Sequence, residues 1–137
     1  MARRDSLQAR IQAFIAQSKD DVFLTREFTH FGGERQVLRA LSNEVRDGGL
    51  VRLGYGVYGR AFKSKLSGKP VLYNRDGLLG AGQDALTKLG VPWEPSAAVR
   101  AYNEGRTTQI PVNPKLKVAG RFSRRLREGS VELIFER

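Results

Sequence analysis

The 137-residue chain has no cysteine and only one histidine, His30. No disulfide, thiolate zinc site or cysteine nucleophile can therefore form, and a multi-histidine metal site is excluded, so any metal would have to be held by carboxylates alone. No apolar run approaches the roughly 18 residues that a membrane span requires. The opening Met1-Ala2-Arg3-Arg4 leads into an amphipathic stretch rather than the apolar core of a signal peptide. The expectation is a cytoplasmic, unprocessed protein with no membrane association. Acidic residues are few, 14 against 24 lysines and arginines, and the net charge of +10 attracts polyanions such as nucleic acid. With 40% apolar residues the chain can bury a core, and its length suits one domain or two small lobes sharing an interface.

The charge is concentrated in two segments. Arg52, Arg60, Lys63, Lys65 and Lys69 occur with no acid between the first and the last, and so do Lys115, Lys117, Arg121, Arg124, Arg125 and Arg127. Either run on its own reads as a solvated face, so the surrounding pattern has to decide.

Asp5 or Ser6 can cap a helix in which Leu7, Ile11, Phe14 and Ile15 recur at helical spacing, and Gln8 follows Asp5 at the distance of a capping box. That helix is expected to end near Ser18. Thr25 is the candidate N-cap of a brief helix carrying Phe28 and ending at Gly32-Gly33. A third helix from Glu34 to about Asp47 places Val37, Leu38, Leu41 and Val45 on one face and Arg35, Gln36, Arg39, Ser42, Asn43 and Arg46 on the other. Arginine pairs two donors with guanine, and glutamine or asparagine pairs a donor and an acceptor with adenine. Arg35, Gln36, Arg39 and Asn43 are thus candidate base contacts. After Gly48-Gly49, the runs Leu50–Leu53 and Val57–Arg60 flank Gly54-Tyr55-Gly56 as strand, turn and strand, the wing of a winged helix-turn-helix. Arg3, Arg4, Arg52, Tyr55, Tyr58, Arg60 and Lys63 are the candidate backbone and wing contacts. Tyr58 serves equally well as a core ring.

Ser64–Lys69 reads as a polar crossing into a second lobe, which gives a winged helix over 1–64 and a small α/β lobe over 65–137, α+β overall. In that lobe a strand is expected at Val71–Tyr73, and a helix carrying Leu78, Leu79, Gly82, Ala85, Leu86 and Leu89 ends at Gly90. Trp93 is expected to anchor its core. A further helix would run from Pro95 to Asn103, with strands at 107–112, 118–122 and 131–135. In the last strand Val131, Leu133 and Phe135 alternate with Glu132, Ile134 and Glu136. Lys115, Lys117, Arg121, Arg124 and Arg125 form a candidate interaction patch.

Other motifs are weak. Gly80-x-Gly82-x-x-Ala85 matches a loose dinucleotide fingerprint, but too little chain follows for a Rossmann sheet, and helix packing accounts for the glycines better. Gly68-Lys69-Pro70 lacks the spacing of a phosphate loop and reads as a turn. Asp20-Asp21 is a loop feature before it is a magnesium site, and His30 is a surface or DNA-proximal residue. Because no nucleophile, base and orienter can be assembled, neither an enzyme nor a cofactor is expected.

Val22–Ala61, with Val37–Leu41, Gly48–Leu53 and Gly56-Val57-Tyr58, resembles the N-terminal winged helix of AbiEi-like antitoxins of type IV toxin-antitoxin systems. Ala85-Leu86-x-x-Leu89-Gly90, Pro95-Ser96, Ala101-x-Asn103 and Thr107–Pro111 are similar to the second half of a short branch of that superfamily found on bacterial mobile elements. The resemblance implies a transcriptional regulator that binds duplex DNA, autoregulates its operon and partners a nucleotidyltransferase-like toxin. The residues alone leave two alternatives: a module docking an acidic protein or a toxin, and an RNA-binding protein if Tyr55, Tyr58 and Phe122 are exposed stacking rings. They leave the oligomeric state open.

Overall fold

The computed structural model describes residues 6–74, 76–96, 104–105, 115–119, 122 and 124–136. It is a mixed α+β structure with four helices and several small sheets among the described residues. None of these helices is long and apolar enough to cross a membrane.

α1 spans Leu7–Gln17, and Ser6 caps it by accepting from the Ala9 amide at 3.1 Å. With Ser6 as cap, the third helical residue is Ala9, so Gln8 is free of a capping box and reaches across to the next long helix instead. β1 (Val22–Leu24) leads into a 3-10 helix over Thr25–Phe31. Its N-cap is Leu24, not the expected Thr25. The Glu27 carboxylate accepts from the Leu24 amide at 2.7 Å, while the Thr25 hydroxyl is buried without a hydrogen-bond partner among the described residues. α2 spans Glu34–Arg46 and ends at Gly48, whose φ of 88° is the left-handed conformation that glycine adopts without strain.

β2 (Leu50–Gly54) and β3 (Val57–Lys63) form a hairpin with Tyr55-Gly56 at its turn. β1 pairs antiparallel with the first half of β3, giving the order β1-β3-β2, and β4 (Pro70–Leu72) pairs with the second half of β3. Both faces of this sheet are covered. Phe23, Leu50 and Tyr58 pack with Ile11, Ile15, Phe28, Val37 and Leu41 of the helical layer. Val22, Leu24, Leu53 and Val57 pack instead with Leu72, Ala85, Leu86, Leu116, Leu126 and Leu133 from the rest of the chain. Each fully buried large apolar side chain contributes about 1.5–3 kcal/mol. Residues on either side of position 64 therefore share one core.

α3 (Gly77–Leu89) closes with Gly90 in the left-handed conformation. β5 (Trp93–Pro95), β6 (Lys115–Val118) and β9 (Ile134–Glu136) form a second sheet in that order, and β7 (Arg127–Glu128) pairs with β8 (Val131–Glu132). Pro95 ends a strand rather than starting a helix. Trp93 is half-buried against the shared core and donates from Nε1 to the Thr87 hydroxyl at 3.0 Å. The expected last strand is broken at Leu133, which is buried and donates its amide to the Leu126 carbonyl at 2.8 Å, so the chain switches sheets there. The expected strand at 107–112 and most of the expected helix to Asn103 lie outside the described residues.

Gly80 and Gly82 lie buried inside α3. A Cβ on Gly82 would collide with Leu133, and one on Gly80 with the Asn74 side chain. Close packing, not a phosphate-binding turn, is what these glycines provide.

Candidate nucleic-acid interface

α2 is held on three sides, by α1, the 3-10 helix and β2. Val37, Ala40 and Leu41 are buried, and so is Glu44, whose carboxylate accepts from Gln8 Nε2 at 2.6 Å and Gln12 Nε2 at 2.9 Å. This buried polar bridge fixes the rotation of α2 about its own axis, because turning the helix would strand a carboxylate in the core. The opposite face is left to Arg35, Leu38, Arg39, Ser42 and Arg46, all exposed. Leu38 is exposed because its position on the helix is displaced toward this face, and Ala40 takes the inward position expected of it. Arg35 and Arg39 make no hydrogen bond or ion pair among the described residues. Arg46 has an exposed contact with Asp47 at 3.5 Å, the kind of pair that contributes little.

Gln36 is exposed and lines, with Gln8, Arg39 and Asn43, a shallow concavity of about 300 Å³ between α1 and α2. Asn43 differs from its reading as a base contact. It is half-buried and donates to Gln8 Oε1 at 3.2 Å, which commits its amide to the α1–α2 bridge.

The residues expected as backbone and wing contacts divide in the same way. Tyr55 is 80% exposed at the turn, and Arg52 is exposed with Nε donating to the Gly54 carbonyl at 3.3 Å. Tyr58 is buried beneath the helical layer, so it is a core ring and not a wing contact. Arg60 is likewise taken. Its guanidinium donates to the carbonyls of Ser18 at 2.9 Å and Asp20 at 2.8 Å, lies 3.4 Å from Asp21 Oδ1, and sits over the Phe23 ring. A phosphate would have to displace all of these partners. Lys63 is exposed, and its aliphatic stem lies over Gly48 at the end of α2. Arg3, Arg4 and Arg121 lie outside the described residues.

The described residues of the expected C-terminal patch sit on different elements. Lys115 is half-buried in β6, and Lys117 stands in register opposite Glu94 and Glu136, where opposite charges support the sheet. Arg124 and Arg125 meet the β2–β3 hairpin. Arg124 donates to the Tyr55 carbonyl at 3.0 Å, and the Arg125 carbonyl packs directly against Gly54. This junction spans about seventy residues of sequence, and only a glycine at 54 as a signal of close backbone approach hinted at it.

Of the three rings proposed as an RNA platform only Tyr55 is well exposed. Phe122 is half-buried, in edge contact with Phe135 at 4.8 Å between centroids. His30 packs against Phe31 at 4.2 Å on the surface. Asp20 and Asp21 are held by cations, Asp20 Oδ2 lying 2.9 Å from Lys88 Nζ and Asp21 facing Arg60. Among the described residues no cluster of acids and histidine could hold a metal ion. Nearby Asp84 has its pKa raised, first by partial burial and then by the charges of Asp21 and Asp20, with the Asn74 hydrogen bond and Lys88 opposing the shift. No protein-family model matches the chain, and neither does any curated protein or solved structure.

Proposed function

We propose that the chain is a duplex-DNA-binding transcriptional regulator whose first half is a winged helix-turn-helix, with α2 as the reading helix in the major groove. The observation that carries this reading is the outward face of α2. Two arginines, Arg35 and Arg39, without a hydrogen bond or ion pair among the described residues, stand one turn apart on a helix whose rotation is fixed by a buried polar bridge. Helix, short helix, glycine turn, helix and hairpin follow in the order of a winged helix. Gln36 adds an amide suited to adenine, and Leu38 an apolar contact suited to a thymine methyl. Arg52 and Lys63 contribute phosphate contacts, joined at the wing by Arg124 and Arg125.

The resemblance to AbiEi-like antitoxins extends the proposal to autoregulation and to a nucleotidyltransferase-like toxin as partner. A mobility shift with the full chain on the DNA upstream of its own gene, against a scrambled duplex over a salt series, tests the regulator. Tighter binding to the upstream DNA supports it. Equal binding to both leaves only affinity for polyanions and refutes sequence-specific regulation.

A further inference from the structure

Ser64–Lys69, which reads in the sequence as a crossing between lobes, is the turn of the β3–β4 hairpin, in which Phe62 pairs with Val71 and Lys63 with Pro70. The turn is tightly held. The Ser64 amide donates to the Lys69 carbonyl at 2.9 Å and the Gly68 amide to the Ser64 carbonyl at 2.9 Å, and the Ser64 hydroxyl accepts from the amides of Leu66 and Ser67 at 3.2 and 3.4 Å. Gly68 supplies the positive φ, 71°, that the turn requires.

What the turn displays at its apex is an aliphatic side chain. Leu66 is 100% exposed, between exposed Lys63, Lys65 and Lys69 and with no acid anywhere from Arg52 to Lys69. Here five side-chain and backbone hydrogen bonds within the turn hold it outward. The arm also leaves the molecule at a particular place, because the Lys63 stem rests on Gly48 directly after α2.

We infer that the β3–β4 hairpin is a DNA arm that inserts Leu66 into the minor groove as a wedge between base steps, with Lys63, Lys65 and Lys69 on the flanking phosphates. Apolar wedges framed by cationic side chains are how proteins unstack and kink duplex DNA from the minor groove. The inference rests on the duplex-DNA reading above and adds a contact that α2 does not make. The charge around Leu66 selects a polyanion, and the single projecting aliphatic group fits a groove better than a flat surface.

The test titrates the full chain, Leu66→Ala, and the Lys65→Ala/Lys69→Ala double variant against a short duplex carrying 2-aminopurine, over a salt series. All three residues are exposed, so the variants fold, and circular dichroism checks that they do. Leu66→Ala should weaken binding several-fold, leave the salt slope unchanged and abolish the fluorescence rise that reports unstacking. The double variant should lower the slope by about two counterions, close to eightfold in affinity per lysine near 0.1 M salt. Parent-like affinity and fluorescence from Leu66→Ala would overturn the arm while leaving duplex binding intact. A parent that binds no duplex would remove the regulator reading and the arm together. Binding to anionic vesicles or single-stranded RNA that Leu66→Ala abolishes, with duplex binding unchanged, would assign the arm to that partner and overturn the proposal.

Discussion

Replacing Gly54 with alanine perturbs the point where the end of the chain locks onto the β2–β3 hairpin. A Cβ built at Gly54 falls 2.3 Å from the Arg125 carbonyl oxygen and 3.0 Å from Leu126 Cδ2. The nearer obstacle is backbone, which cannot rotate away as a flexible side chain would. Leu126 is fully buried, and its carbonyl accepts from Leu133, so segment 124–126 can retreat only by loosening that bond and the Arg124–Tyr55 contact. Overpacking of this kind costs about 1–3 kcal/mol, and the reduced freedom of the unfolded chain returns about 0.4–1 kcal/mol. With backbone as the obstacle the overpacking cost lies in the upper part of its range, about 2–3 kcal/mol. The net loss is therefore about 1–2.6 kcal/mol, which at roughly 3–5 °C per kcal/mol for a chain of this size lowers Tm by about 3–13 °C. Thermal unfolding followed by circular dichroism reads it, with Gly33→Ala as control, because a Cβ at Gly33 meets nothing within 4 Å. If Gly54→Ala melts with the parent, the C-terminal segment is not seated on the hairpin and the shared core is wrongly drawn.

Other substitutions probe separate parts of the structure. Thr25→Val removes a buried hydroxyl with no partner among the described residues and should be neutral or stabilising by up to about 1 kcal/mol in denaturant unfolding; a clear loss would mean that the hydroxyl is bonded. Lys88 lies 2.9 Å from Asp20, 2.7 Å from Glu27 and over the Phe23 ring. Lys88→Ala should therefore destabilise by about 1–3 kcal/mol, less than a fully buried pair because Asp20 is half-exposed; lysine-like stability in the variant would show that the network contributes nothing. Asp84 has a raised folded pKa, so the native state binds its proton more tightly than the unfolded state, and stability falls as pH rises from the ordinary aspartate range through the folded pKa. Asp84→Asn should thus be more stable than the parent at neutral pH, and the difference should shrink as pH falls through that range. A difference that does not change with pH would locate its cause in packing.

Much of the first half was legible because its signals are local. Ser6, the spacing of Leu7, Ile11 and Ile15, and the glycines at 32–33 and 48–49 mark α1 and α2 closely. β1 is hard to read from the sequence because three consecutive apolar residues, Val22–Leu24, show no alternation; only a sheet covered on both faces gives them a reason. Tyr58 takes the core alternative that its sequence leaves open, and Arg60 and Asn43 depart from the roles their spacing suggests for a related cause. Their partners lie about thirty to forty residues away, and spacing within an element cannot show which polar groups meet across the fold. The turn at Ser64–Lys69 carried the residues of a turn, but composition does not distinguish a hairpin from a crossing. In the second half, the helix ending at Gly90 followed from its apolar period, whereas the break at Leu133 follows from a backbone hydrogen bond to a distant segment.

The central claim, that α2 reads DNA sequence, is tested most directly by the ratio of affinities for a selected duplex and for random duplex. The selected site comes from enrichment of a random library by the full chain, and affinities are measured at fixed salt for the parent, Arg35→Ala, Arg39→Ala and Arg52→Ala. Arg35→Ala and Arg39→Ala should each cost about 1–3 kcal/mol on the selected site and little on random duplex, as the loss of a bidentate base contact does. Arg52→Ala should weaken both alike and lower the salt slope by about one counterion. An unchanged ratio in both α2 variants, with a collapsed ratio in Arg52→Ala, would contradict the account and move the reading surface to the hairpin.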